Sequence, residues 1–462
     1  MSEATLTDDI DLLRSQVSEV ILPGEPAYDA ARATWNLSVD QHPAVVVVTR
    51  SPEEVSAAVR FAELKNLGVA VQATGHGTKL PADNALLLIT AMRGVRVDPE
   101  THTAWVGAGT KWKAVLEEAQ KHGLAPLLGS SSDVGAVGFT LGGGMGWLAR
   151  KYGLACDSVL SFEMVDITGR IMQLSPGSNP ALFWAMRGGG GAGLGVVTSM
   201  EIQLYPVSTV YAGNLLYPPE MAHEVMARWA EWVQDVPEEL TSAVVIMNFP
   251  PLPIVPPELQ GKSFVMVRGC YCGDVGRGEE LIDSWRAWRR PLMDFFHDMP
   301  FVQSDMISQD PVDPIPVGIT GAWMREITHE AIDAIIRYTL PQGGPPTLLF
   351  AEIRHAGGAI SRVGADEAAF SHRHHPFSLE MVGIIPTPEA HEHFLEHTEG
   401  LRAEIAPCLP GDVYINFLEG EEARRRTPSA FSNESYQRLK RLKAAMDPEN
   451  TFRYGLDIPP LI

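Results

Sequence analysis

The chain has 462 residues, of which 57 are Asp or Glu and 36 are Lys or Arg, so its formal net charge is −21. Such an acidic surface repels nucleic-acid phosphates and anionic lipids, which disfavours a nucleic-acid-binding or membrane-surface protein. The length exceeds that of one compact core and predicts two or three domains. The N-terminus lacks the pattern of a signal peptide, and the four cysteines suggest reduced thiols, so we expect a cytoplasmic protein.

A β-α-β unit is the first element that the sequence predicts. The run AVVVVT, residues 44–49, is apolar and β-branched, which indicates a buried strand. Ser51 and Glu54 give the capping signature of a helix, and Gly68 is its predicted end. The strand VAVQA then leads into a loop in which His76 lies between two glycines. Because ligands of α/β sheets bind beyond strand ends, His76 is a candidate base, metal ligand, cofactor anchor or turn residue.

Glycine-rich loops dominate the next part of the chain. A hairpin at Asp98-Pro99 and a helix from Thr110 to Gly123 precede a segment with seven glycines between Gly129 and Gly146. A second such loop, RGGGGAGLG, follows a short helix. Backbone N–H groups without side chains can cradle phosphate oxygens, so several such loops suit a nucleotide diphosphate. Neither a Walker loop nor a nicotinamide-type Rossmann fingerprint is present.

The character of the chain changes after residue 206. Residues 207–405 alternate strands and helices without glycine-rich loops, which predicts an antiparallel sheet covered by helices in an α+β fold. The end of the chain has a sequence pattern like that of the first part, with a predicted strand at YINF and a predicted helix over Asn433–Met446. We therefore predict a first domain over 1–206, a second over 207–405, and a C-terminal segment, 406–462, that rejoins the first. The expected strands of the second domain are SAVVIMNF, SFVMVRGCYC, TLLFAEIRHA and FSLEMVGII, and its helices lie at 219–235, 276–289, 327–339 and 387–405.

Four segments in this order resemble the flavin-linked oxidases related to vanillyl-alcohol oxidase. They are the His76 loop, VGAVGFTLGGGMGWLARKYGLACDS, LFWAMRGGGGAGLGVVT, and the C-terminal YINF with LKAAMDPENTFR. The berberine bridge enzyme-like branch, which includes bacterial 6-hydroxynicotine oxidases, matches best. The resemblance implies a two-part FAD-binding domain of the PCMH type, joined to a substrate domain with an antiparallel sheet.

The resemblance also implies how FAD is held. In the family, the histidine of this loop bonds to the 8α-methyl of FAD, so we expect covalent attachment through His76, although Gln72, Ala73 and Thr74 depart from the commoner Arg-Ser-Gly. Ser131 stands where many relatives carry a second attaching cysteine, so a single link is expected. Val134 occupies a small position beside the flavin at which valine favours entry of oxygen. Further residues expected to bind FAD are Ala73, Thr74, Gly75, Gly77, Thr78, Gly129, Ser130, Gly135, Gly138, Thr140, Gly142, Gly143, Gly144, Gly195 and Val197.

Flavin chemistry needs a group that accepts a proton from the substrate. In the family, the Tyr-x-Asn motif lies against the flavin, which assigns Tyr414 and Asn416 to the site, with Tyr414 a candidate base. Relatives with a glutamate base align it to Leu379, one residue from Glu380. Since a slip of one residue turns a strand side chain to the opposite face, Glu380 is a candidate only if a bulge corrects the register. Arg354 and His355 end another strand and are candidates for the same pocket wall.

The histidine-rich stretches HRHH (372–375) and HEHFLEH (391–397) raise the alternative of a metal site. His393 and His397 are one helical turn apart, but no third ligand of clear spacing accompanies them, so no metal is expected.

We expect an oxidase that takes hydride from a small alcohol or amine and passes electrons to O2. The alternatives are an FAD-dependent dehydrogenase with another acceptor, a reductase of the UDP-N-acetylmuramate type, which lacks the covalent histidine, and a non-catalytic flavin-binding protein.

Overall fold

The computed structural model describes residues 3–253 and 255–461. Its first sheet has four strands in the order β1-β2-β4-β3, in which β2, β4 and β3 run parallel. The strands are apolar and short, and α3 connects β2 to β3 after a cap in which the Glu54 N–H donates to the Ser51 hydroxyl. The elements of this layer are α1 (Glu3–Gln16), β1 (Glu19–Ile21), α2 (Tyr28–Arg32), β2 (Val45–Thr49), α3 (Pro52–Lys65), β3 (Val69–Gln72) and β4 (Leu86–Thr90).

The second sheet is antiparallel and has five strands in the order β5-β6-β9-β7-β8. The predicted hairpin at Asp98-Pro99 forms one edge of this sheet, and a second hairpin, which turns at Thr168-Gly169, forms the other. The glycine-rich segments are loops that connect its strands. Its hydrophobic core is continuous with that of the first sheet. Its elements are β5 (Val95–Asp98), β6 (Thr103–Gly107), α4 (Trp112–Gln120), α5 (Ala136–Leu141), α6 (Ala149–Tyr152), β7 (Val159–Val165), β8 (Ile171–Leu174), α7 (Pro180–Met186) and β9 (Val196–Gln203).

The third sheet has eight antiparallel strands in the order β13-β10-β12-β11-β16-β17-β15, with β14 also paired to β10. Helices cover one face and build a second core. The elements are β10 (Thr209–Tyr217), α8 (Ala222–Trp232), β11 (Leu240–Asn248), β12 (Ser263–Tyr271), α9 (Val275–Trp288), β13 (Met293–Asp294), β14 (His297–Pro300), α10 (Asp305–Ser308), β15 (Val317–Met324), α11 (His329–Thr339), β16 (Phe350–His355), β17 (Phe377–Ile384) and α12 (Pro388–Glu404).

The last part of the chain packs into the first core, through α13 (Gly420–Arg426) and α14 (Asn433–Met446). Lys443 on α14 is buried and donates to the carbonyl of Gly193, 2.8 Å away, and to the carboxylate of Asp447, 2.7 Å away. A buried ammonium needs such partners, and here they fasten the C-terminal segment to the second glycine-rich loop.

The predicted α+β class with an antiparallel, helix-covered sheet is confirmed. Two local predictions are wrong. The helix expected from Thr110 to Gly123 covers only Trp112–Gln120, and YINF is not a strand, because Ile415–Phe417 form a turn of 3-10 helix. The proposed domain boundaries stay predictions. Within the described residues, no helix is both long and apolar enough to cross a bilayer.

Candidate active site

His76 lies just beyond β3, in a loop that Gly75 makes possible. Gly75 has a φ of +77°, and a Cβ there would come within 2.8 Å of the Trp35 backbone nitrogen. The tight turn brings the imidazole onto the indole of Trp35, with ring centroids 4.6 Å apart and planes 16° from parallel. The His76 Nδ1 lies 3.0 Å from the hydroxyl oxygen of Thr74. Stacking and this hydrogen bond hold the ring in one orientation.

The imidazole of His76 is neutral at physiological pH. Burial lowers its pKa to about 4, against an opposing contribution from the carboxylate of Asp133 and with a smaller lowering by Lys111. The Asp133 Oδ2 lies 3.6 Å from the His76 Nε2, and the Lys111 ammonium lies 2.6 Å from the other carboxylate oxygen. A neutral imidazole keeps a lone pair, so His76 has the nucleophilic form that attachment to an electrophilic carbon requires. Asp133 was not among the residues singled out from the sequence.

The loop of residues 129–135 lies against the His76 loop. A Cβ on Gly135 would be 3.3 Å from the Thr74 hydroxyl and 3.6 Å from the Cβ of Ala73, so the two loops are in contact. The Ser131 hydroxyl accepts a hydrogen bond of 3.3 Å from the N–H of Asp133, and the carbonyl of Val134 accepts one of 3.0 Å from the N–H of Trp112. The predicted FAD-binding residues of these two loops therefore share one region.

Protein atoms fill part of the space that the glycines leave. A Cβ on Gly142 would lie 1.8 Å from the Asn416 side-chain oxygen, and one on Gly146 would lie 1.7 Å from a backbone oxygen. No described atom lies within 4 Å of the Cβ position at Gly77 or Gly138. Gly142 thus admits the C-terminal segment, whereas Gly77 and Gly138 leave room for another molecule.

The remaining predicted positions are divided between this loop region and the core. The Thr140 hydroxyl donates a hydrogen bond to the carbonyl of Ala136 in the same helix, and the Val197 side chain is buried in β9. A Cβ on Gly195 would meet the carbonyl oxygen of Val165 at 2.5 Å. These contacts are with protein atoms, so the role of Thr140, Gly195 and Val197 in FAD binding stays a prediction.

Tyr414 and Asn416 lie together although their segment is not a strand. The Tyr414 hydroxyl accepts hydrogen bonds from the N–H groups of Gly144 and Met145, each 3.1 Å away, and from the Asn416 amide, 3.0 Å away. The same amide donates to the carbonyl of Phe139, which fixes its orientation. These donors favour a phenolate, but burial outweighs them and raises the pKa of Tyr414 to about 12. Tyr414 is therefore a neutral phenol at physiological pH.

Glu380 lies on the face of the third sheet that the helices leave free. Its strand neighbours Leu379 and Met381 belong to the core beneath the helices, so alternation along the strand turns Glu380 to the other side. The pairing of β17 with β15 and with β16 contains no register shift. No bulge is present in these two pairings, and Leu379, at the aligned position, faces the helices, so the role of Glu380 in the site stays a prediction.

The face that carries Glu380 adjoins the Tyr414 segment. Ser378, on the same face, is paired directly with Trp323 of β15, and the Trp323 ring contacts Tyr414 with centroids 6.1 Å apart. The Phe417 ring lies near both, since its centroid is 4.8 Å from that of Tyr414 and 5.7 Å from the guanidinium carbon of Arg354, a neighbour of Glu380 on the sheet. The candidate base on the sheet and the C-terminal tyrosine thus border the same region.

A cluster of buried charges surrounds Glu380. Its carboxylate lies 3.0 Å from the Arg354 guanidinium, which also bonds Glu352, directly opposite Glu380 across the strands. Glu352 is bonded in turn by Arg268 at 2.8 Å. Burial raises the pKa of Glu380 to about 7, the nearby Arg354 lowers it, and the charges of Glu352 and Asp310 raise it. Glu380 therefore exchanges a proton near neutral pH, as a general base must.

Two family models match parts of the chain. Residues 43–175 match the FAD binding domain, and residues 413–459 match the model described as berberine and berberine like. The chain is an FAD-linked oxidoreductase, and it is similar to the berberine bridge enzyme-like proteins.

Similar proteins align with almost the whole of this oxidoreductase. The uncharacterized FAD-linked oxidoreductase YgaK of Bacillus subtilis is 26% identical over 451 residues, or 96% of this chain and 97% of its own. The (R)-6-hydroxynicotine oxidase of Paenarthrobacter nicotinovorans is 26% identical over 465 residues, 96% of each chain. Among solved structures, 6-hydroxy-D-nicotine oxidase from Arthrobacter nicotinovorans superposes with a TM-score of 0.83 at 23% identity, covering 96% of this chain and 98% of its own. BBE-like 1 of Physcomitrella patens superposes with a TM-score of 0.84 at 20% identity, covering 98% of this chain and 99% of its own.

The residues of the oxidoreductase fit an FAD cofactor. The buried His76 imidazole has only the Thr74 hydroxyl as a hydrogen-bond partner among the described residues, and the backbone at Gly77 and Gly138 is open. A neutral imidazole beside side-chain-free backbone can hold both the ring and the phosphates of a dinucleotide.

Lys79, which was not singled out from the sequence, contacts the C-terminal segment that carries the predicted residue Asn416. Its ammonium donates to the carbonyl of Asn416, 3.3 Å away, and faces the carboxylate of Glu419. Burial lowers the pKa of Lys79 to about 8 and raises that of Glu419 to about 7, while each charge favours the other. Its position three residues after His76 was the available signal, but contact with a segment more than 300 residues away is a property of the fold.

The two histidine-rich stretches make hydrogen bonds within the protein. The Asp412 carboxylate lies 2.7 Å from the His375 Nε2 and 3.1 Å from the His372 Nδ1. These distances suit hydrogen bonds better than two ligands around zinc, which lie about 3.3 Å apart when each is about 2 Å from the metal. His397 bonds the carbonyl of Tyr338, and His393 bonds a threonine hydroxyl. The expectation that no metal is bound stays a prediction.

Proposed function

We propose that the protein is an FAD-dependent oxidase whose flavin is attached covalently through His76 alone. The observation that carries the proposal is the neutral imidazole of His76, stacked on Trp35 and held by Thr74 beside the glycine-rich loops. A single link is in keeping with Ser131, whose hydroxyl accepts from the Asp133 N–H and has no thiol chemistry. Bound FAD supplies a two-electron acceptor at its N5.

The substrate in this proposal is a small alcohol or amine, oxidised by loss of hydride to the flavin and of a proton to the protein. Glu380 is the proton acceptor, because its pKa of about 7 lets it act at neutral pH. Arg354, 3.0 Å away, keeps part of the Glu380 population ionised in a buried place. Tyr414, whose pKa is raised to about 12, serves as a positioning group rather than as the base.

Tyr414 and Asn416 fasten the C-terminal segment to the first glycine-rich loop. The N–H groups of Gly144 and Met145 both donate to the Tyr414 hydroxyl, and Asn416 bonds Tyr414 and Phe139. In the proposed enzyme this network sets the shape of the cofactor pocket and excludes water from it.

Oxygen is the proposed electron acceptor, and hydrogen peroxide is the second product. Val134, beside the His76 loop, and the name of the relative (R)-6-hydroxynicotine oxidase support an oxidase over a dehydrogenase. The name also supports a small-molecule substrate. The four cysteines are free thiols and are buried, which is compatible with the proposed cytoplasmic location.

The test is a panel of small secondary alcohols and amines added to the purified protein without oxygen. A substrate is expected to bleach the flavin absorbance, and admitted air is expected to restore it with one peroxide formed per flavin. Flavin that stays reduced in air but passes its electrons to an added dye would identify a dehydrogenase. Peroxide formation that proceeds equally well in Glu380→Gln would remove Glu380 as the base.

A further inference from the structure

The carboxylate of Asp133 lies near the His76 Nε2, the ring nitrogen that has no hydrogen-bond partner among the described residues. The two side chains are 14% and 13% exposed, and the Asp133 Oδ2 lies 3.6 Å from the His76 Nε2. The opposite ring nitrogen, Nδ1, lies 3.0 Å from the Thr74 hydroxyl. The imidazole is therefore placed between a carboxylate on one side and a hydroxyl on the other.

This arrangement favours one tautomer of the imidazole. A carboxylate only accepts hydrogen bonds, so its neighbour Nε2 is favoured as the protonated nitrogen. A hydroxyl can donate, so the Thr74 O–H can bond to the lone pair on Nδ1, and this hydrogen bond is given up when Nδ1 forms the bond to the flavin. The parallel stacking on Trp35 holds the plane of the ring between these two partners.

The loop presents one oxygen of Asp133 to the imidazole. The Asp133 Oδ1 is held by the Lys111 ammonium at 2.6 Å, and the Asp133 N–H is anchored on the Ser131 hydroxyl. Lys111 leaves Oδ2 facing His76. The two charges that act on the imidazole oppose each other, since Asp133 raises and Lys111 lowers the pKa of His76.

We propose that Asp133 is a positioning residue for covalent attachment of the flavin, holding the His76 proton on Nε2 so that Nδ1 forms the bond. The inference rests on the proposed function, because it requires that His76 carries the flavin. As the new bond forms, the imidazole becomes positive, and the carboxylate of Asp133 stabilises that charge.

The attachment balances with oxygen as the oxidant. One C–H bond of the 8α-methyl breaks, one bond forms between that carbon and Nδ1, and the Nε2 proton leaves by way of Asp133. The flavin takes up the two electrons, and O2 accepts them together with the two protons to give hydrogen peroxide. The sum is one FAD, one histidine and one O2 converted to histidyl-FAD and peroxide.

The test follows attachment in the full-length protein, with Asp133→Asn, Asp133→Glu and Lys111→Gln as variants. Each protein is saturated with added FAD in air, and the flavin that stays with acid-precipitated protein is measured over time. Bound but releasable FAD is measured in parallel as a check on folding. Asp133→Asn is expected to attach flavin about 10- to 100-fold more slowly, the scale for loss of an orienting partner, and Asp133→Glu to recover most of the rate. Lys111→Gln is expected to attach it at least as fast as the wild type.

The pH dependence of attachment separates positioning from a general structural defect. Protonated His76 cannot attack, so attachment slows as the pH falls towards the pKa of His76. Loss of Asp133 is expected to move this acid limb to lower pH, and loss of Lys111 to higher pH, because their effects on the pKa are opposite.

Each outcome decides between two explanations. A wild-type protein that releases all its flavin in acid would refute the proposed covalent attachment itself. Covalent flavin in the wild type with an unchanged rate in Asp133→Asn would overturn the role of Asp133 and leave the attachment standing. Equal slowing in Asp133→Asn and Asp133→Glu, with the acid limb unmoved, would also overturn it, whether or not either variant binds FAD.

Discussion

The guanidinium of Arg354 lies 3.0 Å from the carboxylate of Glu380 on the free face of the large sheet, where both are buried or nearly so. Arg354 also lowers the pKa of Tyr414, so one cation acts on both candidate bases. Burial still leaves the pKa of Tyr414 at about 12 and that of Glu380 at about 7. The difference favours the carboxylate of Glu380 over Tyr414 as the base that we propose.

The first prediction concerns Glu380 as the base. Glu380→Gln is expected to lower kcat/KM by about 10²- to 10⁴-fold, the usual contribution of a general base. Since the ionised form is active, kcat/KM of the wild type is expected to rise with pH through about 7 and then to level off. Glu279→Gln, on an exposed part of α9, is the matched control and should change neither quantity. A pH range of about 5 to 9 extends about two units on either side of that pKa. A wild-type kcat/KM that does not depend on pH within this range would contradict the assignment.

The second prediction uses Arg354 to move that pH limb. Arg354 lowers the pKa of Glu380, so Arg354→Gln is expected to shift the limb to higher pH. The measurement is the profile of kcat/KM against pH for the two proteins, with bound flavin confirmed by absorbance. A limb that stays in place or moves to lower pH would show that another group titrates.

The third prediction separates Tyr414 from the base. Tyr414→Phe is expected to leave the pH limb near 7 in place, because the group that titrates is still present. It leaves the N–H groups of Gly144 and Met145 without their acceptor, which costs about 1–3 kcal/mol of unfolding free energy for each buried group left unpaired. Denaturant unfolding measures the cost, and loss of the limb in this variant would make Tyr414 the base.

The fourth prediction compares two glycines of one loop. Gly142→Ala would place a methyl group 1.8 Å from the Asn416 side chain, so a loss of about 1–3 kcal/mol is expected from overpacking. Gly138→Ala meets no described atom within 4 Å and lies inside α5, so the protein without FAD should be unchanged or up to about 1 kcal/mol more stable. If the open space belongs to FAD, Gly138→Ala weakens FAD binding. Unaltered FAD affinity in Gly138→Ala would contradict that placement.

The fifth prediction concerns acid stability. Burial, with repulsion from Arg150, lowers the pKa of His355 to about 3. In the unfolded chain His355 has its ordinary pKa of about 6.5, so the unfolded state binds the proton more readily than the folded state. The contribution of neutral His355 to the free energy of unfolding is therefore complete above pH 6.5 and is lost as the pH falls towards 3. His355→Gln is expected to flatten this loss between pH 7 and pH 4, by about 1 kcal/mol or more, in unfolding measured at several pH values. An unchanged slope would show that His355 does not contribute.

Much of the fold follows from local patterns in the sequence. The helix over Asn433–Met446 has its cap at Ser432, and α11 buries Ile332 and Ile335 at helical spacing. Strands such as β2 are nearly continuous apolar runs. The strands β10 and β15 were missed because glycines interrupt their pattern, with Gly213 at a φ of +151°.

The site depends on contacts that join distant parts of the chain. The segment at Tyr414 reads as a strand, but its contact with the first glycine-rich loop holds it in another conformation. Leu379 and Met381 pack into the core beneath α11 and α12, and this packing turns Glu380 to the opposite face of the sheet. Alignment to relatives had placed Leu379, and not Glu380, at the position of the glutamate base. Asp133 and Lys79 reach His76 and Asn416 only through the fold. Residue type predicted the loops, whereas the partners of each side chain required the structure.

The most direct test of the account is the fate of the yellow colour when the purified protein is denatured in acid. The wild-type protein and His122→Ala, a change at an exposed histidine, are expected to keep the flavin in the precipitate, with the mass of one FAD added to the intact chain. His76→Ala is expected to release all of its flavin into the supernatant. Release from the wild type, or retention in His76→Ala, would contradict attachment through His76.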